Sequence, residues 1–367
     1  MHPARFMPRF RRARRVVAEL EQVEQWSRGD IERLQLNRIN AIWRHAIAHV
    51  PYYRHLKVSA DLPEQFCDLE QFKAQVPVLQ KDTVRSGGDD FLSERAGPGK
   101  WYCTGGSTGT PMRLFWSSKE YRRALCSRYR FYASHGADLF DPVVYLWGAD
   151  HRLSSGVRGF IERLGETVCD QLRNRRRFSA YELDGGHLAQ YLREIEAFRP
   201  TMIYGFSQAV HMLAREAIRN GFECDSLRVV TMTSEVATPA MVLTVQRAFG
   251  APVVMEYGAT ECPLIAGQDN TGAWRVREDL AMVETLPRND GRFDVVLTVL
   301  GNSAFPLLRY VIEDVVDAPI HTPPRGLACI GAVSGRDDEL LVSGDGKPIH
   351  ATLVDIVFEA EPAVRRY

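Results

Sequence analysis

The eight residues Thr104-Gly105-Gly106-Ser107-Thr108-Gly109-Thr110-Pro111 hold three glycines and four hydroxyl side chains, and no acid. That composition suits an anion. Glycine lacks Cβ, so successive backbone N–H groups can converge on one phosphate oxygen, and the hydroxyls of Thr104, Ser107, Thr108 and Thr110 add further donors. A nucleotide hydrolase P-loop would need Lys-Ser/Thr after its last glycine and a helix behind it. Here Thr110-Pro111 follow Gly109, and Met112 to Trp116 alternate roughly like a strand. The expectation is a phosphate-holding loop at a hairpin tip, with an ordinary glycine-rich turn as the other reading.

Three further segments carry chemistry by position: Gly205-Phe206-Ser207, Ser234-Glu235 and Tyr257-Gly258-Ala259-Thr260-Glu261. Each follows a short apolar run. The runs are Met202-Ile203-Tyr204, the stretch from Leu227 to Thr233, and Val253-Val254-Met255. Between them lie helical patterns with Val210, Leu213, Ala214, Ala217 and Ile218, and then from Pro239 to Phe249. A further stripe with Leu188, Tyr191, Leu192, Ile195 and Phe198 precedes the first run. Alternating strand and helix means parallel strands, which bind ligands beyond their carboxyl ends. An aromatic ring, small residues and two carboxylates on that edge suit a stacked adenine with Mg2+ near its phosphates. Alternatively, Glu235 and Glu261 cap the segments that follow them.

Around this α/β centre, Ile31, Leu34, Ile39, Ile42, Trp43 and Ile47 predict a helix stopped by Pro51, and Asp68 to Lys73 a short one. From Arg292 the pattern turns to strand alternation: Phe293, Val295, Leu297, Val299, a turn at Gly301-Asn302-Ser303, then a strand from Pro306 to Ile312 that Asp314 closes. This is antiparallel β, a separate subdomain. Gly335-Arg336-Asp337-Asp338 reads as a turn, followed by a strand at Leu340-Leu341-Val342 and a helix from Leu353 to Glu359.

The 367 residues carry 46 basic and 46 acidic side chains, so no global field favours nucleic acid or a membrane surface. Two arginine runs, Arg5 to Arg15 and Arg173 to Arg177, read as solvated faces, or as docking points for an anionic partner. There is no secretory core and no run of 18 apolar residues, so a soluble cytoplasmic protein is expected. Seven cysteines without a C-x-x-C pair are expected to be free thiols. His45 and His49 stand four apart but lack the metalloprotease glutamate, so packing is expected of them.

Taken in order, these motifs, with Arg309-Tyr310 and Asp314, resemble the adenylate-forming superfamily. His49-Val50-Pro51-Tyr52-Tyr53-Arg54 and Val76-Pro77-Val78-Leu79-Gln80-Lys81 are similar to N-terminal signatures of its phenylacetate-CoA ligase and CapK-type branch. The resemblance implies that ATP and a carboxylic acid, an aromatic one being favoured, give an acyl-adenylate and pyrophosphate for a biosynthetic pathway. It implies that Thr104, Ser107, Thr108 and the glycines hold the β and γ phosphates, that Glu261 takes Mg2+ and that Tyr257 packs on adenine. It further implies that Asp314 binds the ribose hydroxyls and that Arg336 lies at a hinge. Trp147, His151, Tyr204, Phe206 and Ser207 are candidates for the acyl pocket, by position.

Two departures stand out. Thr110 replaces a common lysine, and the family's lid lysine lies beyond Tyr367. The resemblance therefore implies an adenylation domain over 1–334, with its β subdomain at about 281–334. Residues 335–367 would form the hinge and the start of a mostly absent lid, as in short adenylating proteins of phenazine antibiotic pathways. Complete CoA ligation and a non-catalytic acyl-adenylate binder stay open, as do an acyl acceptor, a partner enzyme and a homodimer.

Overall fold

Helix α1 (Arg28–His49) begins where the Ser27 side chain accepts the Asp30 N–H. It buries Ile31, Ile39, Ile42 and Trp43 of the stripe read in the sequence, together with Ala46, while Leu34 and Ile47 are half-buried. Pro51 does more than stop it. With no N–H to satisfy and φ preset, it opens α2 (Pro51–Ser59) at the first helical turn. In this computed structural model the described residues are 15–17, 22–104, 112–148, 170–336, 340–342 and 348–350. The expected helix from Leu353 to Glu359 lies outside them.

Helices α3 (Leu69–Gln75) and α4 (Lys81–Gly87) lead to the antiparallel hairpin of β1 (Gly99–Cys103) and β2 (Arg113–Ser117), and then to α5 (Ser118–Ser134). Next come β3 (Val143–Trp147), β4 (Arg175–Ser179), α6 (Gly185–Phe198), β5 (Met202–Phe206), α7 (Ser207–Arg219), β6 (Val229–Thr233), α8 (Pro239–Phe249) and β7 (Val253–Tyr257). The remaining strands are β8 (Ala266–Gln268), β9 (Trp274–Val276), β10 (Ala281–Pro287), β11 (Phe293–Val299), β12 (Tyr310–Val316), β13 (Cys329–Ile330), β14 (Val333–Arg336), β15 (Leu340–Val342) and β16 (Pro348–His350).

The chain forms two compact units. The first is built mainly from 129–256, the second from 18–128, 257–267 and 273 onward. In the first unit β4, β3, β5, β6 and β7 lie side by side, every neighbouring pair parallel. This is the expected α/β sheet. Its central strands are buried, and so read as near-continuous apolar runs. The register puts Tyr145 beside Tyr204, Tyr204 beside Thr231, and Thr231 beside Val254. The arginine run on β4 is consumed within this unit. Arg175 lies over the Tyr145 ring and donates to the Tyr129 hydroxyl, Arg176 pairs with Glu194, and Arg177 pairs with Asp170.

The second unit holds a separate antiparallel sheet in the order β10, β11, β12, β14. Strand β11 falls where alternation placed it; its partner does not. The expected strand from Pro306 to Ile312 starts instead at Tyr310 and runs to Val316, because Leu308 N–H bonds to the Tyr53 hydroxyl and Arg309 sits at φ +51. Asp314 is therefore inside the strand, not at its close. The Tyr53 hydroxyl also donates to the Pro306 carbonyl at 3.0 Å, which ties the N-terminal signature to this stretch. Among the described residues no helix is long and apolar enough to cross a membrane, and six cysteines are free thiols.

Candidate active site

The glycine loop is carried between the ends of β1 and β2, and the bonds at its base belong to Thr104. Thr104 N–H donates to the Met112 carbonyl at 2.9 Å, and its side-chain oxygen accepts the Met112 N–H at 3.0 Å. Both partners are buried, so the loop's ends are fixed about one point. Gly105, Gly106, Ser107, Thr108, Gly109 and Thr110 themselves lie outside the described residues.

The turn after β7 is also fixed in the second unit. Trp116 of β2 donates its indole N–H to the Thr260 carbonyl at 3.1 Å, and Ala259 N–H bonds to the Cys262 carbonyl at 2.9 Å. Gly258 is required there by close approach: a Cβ would stand 2.4 Å from the Pro263 carbonyl oxygen. This compact turn delivers Glu261 inward, only 4% exposed.

Glu261 accepts a hydrogen bond from the Tyr310 hydroxyl at 3.0 Å, and Met112 Sδ lies 3.8 Å from the same hydroxyl. Burial pushes the Glu261 carboxyl above its usual range. The Tyr310 bond and the charge of Lys81 oppose this, while the nearby charge of Asp314 adds to it. Four residues along β12, Asp314 is 8% exposed and accepts from the Tyr257 hydroxyl at 2.7 Å. Burial, and then the Asp314 charge, raise the Tyr257 phenol well above its ordinary value.

A bulge makes this placement. Along the ladder Asp294 pairs with Val315 but Val296 with Val311, so one residue of β11 faces three of β12, and Glu313 adopts φ +69. The irregularity re-aims the strand at Asp314. The second unit thus brings together the loop base, Glu261, Tyr257 and Asp314.

Trp147, Tyr204, Phe206, Ser207, Ser234 and Glu235 belong to the first unit. At the carboxyl edge of its sheet Trp147 stacks on Tyr204, with ring centres 5.5 Å apart and planes 19° apart, and meets Phe206 at 4.4 Å. Trp147 and Phe206 are half-buried. Tyr204 is fully inside, and its hydroxyl donates to Glu256 at 3.2 Å. Ser207 is wholly buried, bonded to the Thr233 and Glu235 carbonyls, and so packs the strand ends together. Glu235 accepts the Gln208 N–H at 2.9 Å at the start of α7, a helix that precedes it in the chain, whereas the helix that follows it, α8, is capped by Thr238. Ser234 is exposed at φ +70, a conformation costing a non-glycine residue about 1 kcal/mol. His151 and the side chain of Arg336 lie outside the described residues.

Sequence reasoning passed over three groups. Glu256, buried between the Tyr132 and Tyr204 hydroxyls, was hidden as one acid in an apolar strand. Tyr310 and Lys81 were visible only as members of motifs. A lysine beside Val76-Pro77-Val78-Leu79 was the one legible signal, since apolar surroundings make a cation costly.

No family model matches the chain. Protein CapK of Staphylococcus aureus is 21% identical over 323 residues, covering 86% of this chain and 70% of CapK. Phenylacetate-coenzyme A ligase of Aromatoleum evansii is 25% identical over 351 residues, covering 88% of this chain and 74% of that enzyme. Among solved structures, 2-hydroxyisobutyryl-CoA ligase in its postadenylation state, in complex with an acyl-AMP, superposes with a TM-score of 0.72 at 17% identity. That match covers 93% of this chain and 75% of the ligase, and it establishes the fold.

Fold and relatives together define an acyl-adenylate-forming ligase, an enzyme class that adenylates carboxylic acids. Within that class the chain is similar in sequence to the phenylacetate-CoA ligase and CapK branch of the adenylate-forming superfamily, the branch its ordered motifs resemble.

Proposed function

We propose that this enzyme joins a carboxylic acid to the α-phosphate of ATP, with Mg2+, releasing pyrophosphate and keeping the acyl-adenylate. The observation that carries the reading is the convergence of Asp314 and Glu261, two buried carboxylates each held by a tyrosine hydroxyl, beside the base of the glycine loop. Buried carboxylates are expensive unless a ligand or partner needs them. Asp314 would accept from both ribose hydroxyls, a task an ionised carboxylate performs with its two oxygens.

Glu261 fits a divalent cation by its donor chemistry, since it is buried and its ionised form is undercompensated. Among the described residues no three His, Cys, Asp or Glu side chains form a metal cage, so phosphate and water oxygens would complete the set. Bound there, Mg2+ would neutralise charge on the phosphates. The chain's own residues do the rest. The loop hydroxyls and N–H groups hold the leaving pyrophosphate, and the acid needs no general base because its carboxylate is ionised at neutral pH. Trp147 and Phe206 favour an aromatic acid, since flat rings stack well against such faces.

A second reading extends the first. 2-Hydroxyisobutyryl-CoA ligase also has a structure with 2-HIB-AMP and CoA, which supports transfer of the acyl group to CoA as a following step. The deciding experiment is carboxylate-dependent ATP–pyrophosphate exchange with Mg2+ over aryl and aliphatic acids, with mass spectrometry for acyl-CoA when CoA is added. Exchange with one acid class supports adenylation. AMP binding without any exchange would replace it with a non-catalytic binding protein.

A further inference from the structure

Lys81 lies where a lysine has little reason to be. It is 8% exposed, and it opens α4, the end of a helix that favours negative charge. A buried ammonium is retained only when charges or hydrogen bonds repay its desolvation. Its Nζ pairs with Glu313 Oε2 at 2.5 Å, and its charge also acts on Glu261.

The backbone explains how the two residues meet. Leu79 runs alongside β12 as a parallel bridge to Tyr310, with Leu79 N–H bonded to the Arg309 carbonyl at 2.8 Å and Val311 N–H bonded to the Leu79 carbonyl at 3.0 Å. Arg309 reinforces this by donating from Nη1 to the Val76 carbonyl and by pairing with both Glu284 oxygens through Nε and Nη2. Two residues past Leu79, Lys81 is held against the strand, and Glu313 stands three past Tyr310. Glu313 is the residue at φ +69 in the bulge, and Asp314 is its neighbour. A strained backbone position persists only where its surroundings over-determine it.

We infer that Lys81 is a positioning residue of the nucleotide site: by gripping Glu313 it locks the β12 bulge in the form that presents Asp314 beside Tyr257, and it places a fixed cation near Glu261. The inference rests on the nucleotide reading of that site. It gives the Val-Pro-Val-Leu-Gln-Lys segment a task that an ordinary docking strand would not need, because Leu79 alone accounts for the backbone pairing.

The test measures binding rather than turnover. Titration calorimetry of AMP without metal, and of ATP with Mg2+, is run on the full chain and on Lys81→Met, Lys81→Arg, Glu313→Gln and the Lys81→Met/Glu313→Gln double variant. The melting temperature of each is recorded. Expected are dissociation constants for AMP raised about tenfold in Lys81→Met and Glu313→Gln, no further loss in the double variant, and substantial recovery in Lys81→Arg. A Lys81→Met protein that melts lower yet binds AMP within twofold of the parent overturns the inference and leaves the nucleotide reading standing. Should Lys81→Met fail to fold, Glu313→Gln decides the matter by the same twofold criterion. Parent protein that binds neither nucleotide overturns the reading and the inference together.

Discussion

The Tyr257 hydroxyl donates to Asp314 Oδ2 across 2.7 Å, joining the residue that ends β7 to the residue behind the β12 bulge. Both are buried, so the bond is made away from water and the aspartate is oriented before any ligand arrives. Tyr257→Phe should lower unfolding stability by about 1–2 kcal/mol, since it leaves a buried carboxylate short of a donor. Denaturant titration reads this directly. If Asp314 holds the ribose as proposed, Asp314→Ala should weaken AMP by tenfold or so, measured by calorimetry.

Glu261→Gln should separate the proposed catalytic role of Glu261 from stability. Burial raises its carboxyl pKa in the folded state, so its ionised form is a liability above that raised value, one that eases as pH falls through it towards the ordinary carboxylate range. Glu261→Gln should leave the denaturation midpoint at pH 7 unchanged or higher, while Mg2+-dependent pyrophosphate exchange falls about 100-fold. A lower midpoint with intact exchange would assign the residue to structure alone.

Gly258→Ala should be among the most damaging single-methyl additions. The new Cβ would meet the Pro263 carbonyl, a backbone atom that cannot rotate away. A loss of about 2 kcal/mol or more is expected, with loss of nucleotide binding because the turn carrying Glu261 must shift. Thermal melts with and without AMP measure both.

For the acid, Trp147→Ala should raise KM for an aryl acid about tenfold and change that for a short aliphatic acid little, because the ring's stacking on Tyr204 and Phe206 is lost. Equal effects on both acids would remove Trp147 from the acyl pocket.

Acid sensitivity should come partly from two histidines. Burial lowers the pKa of His45, with His49 adding to it, and burial likewise lowers that of His211. A histidine whose pKa is depressed on folding binds more protons when unfolded. Its contribution to stability is present above the ordinary histidine pKa of about 6.5 and is lost as pH falls below it. Melting temperature should therefore decline from pH 7.5 to 5, and His45→Asn should flatten the slope. His45 meets Ser93 through a 2.7 Å hydrogen bond, so the same variant should also lower the plateau.

The sequence by itself determined the parallel α/β layout, the antiparallel region, the hairpin around the glycine loop and the family. These rest on local periodicity, turn chemistry and motif order, all properties of near neighbours in the chain. It also named Asp314, Tyr257 and Glu261. Tertiary structure alone decided what each carboxylate touches: Glu235 turned to cap α7, Glu256 was enclosed by Tyr132 and Tyr204, and Glu261 met Tyr310. It also moved β12 to Tyr310–Val316 and set the bulge that turns Asp314 inward. The physical reason is that a carboxylate's role depends on its burial and on donors supplied from 27 to 232 residues away, which no local pattern in the chain encodes.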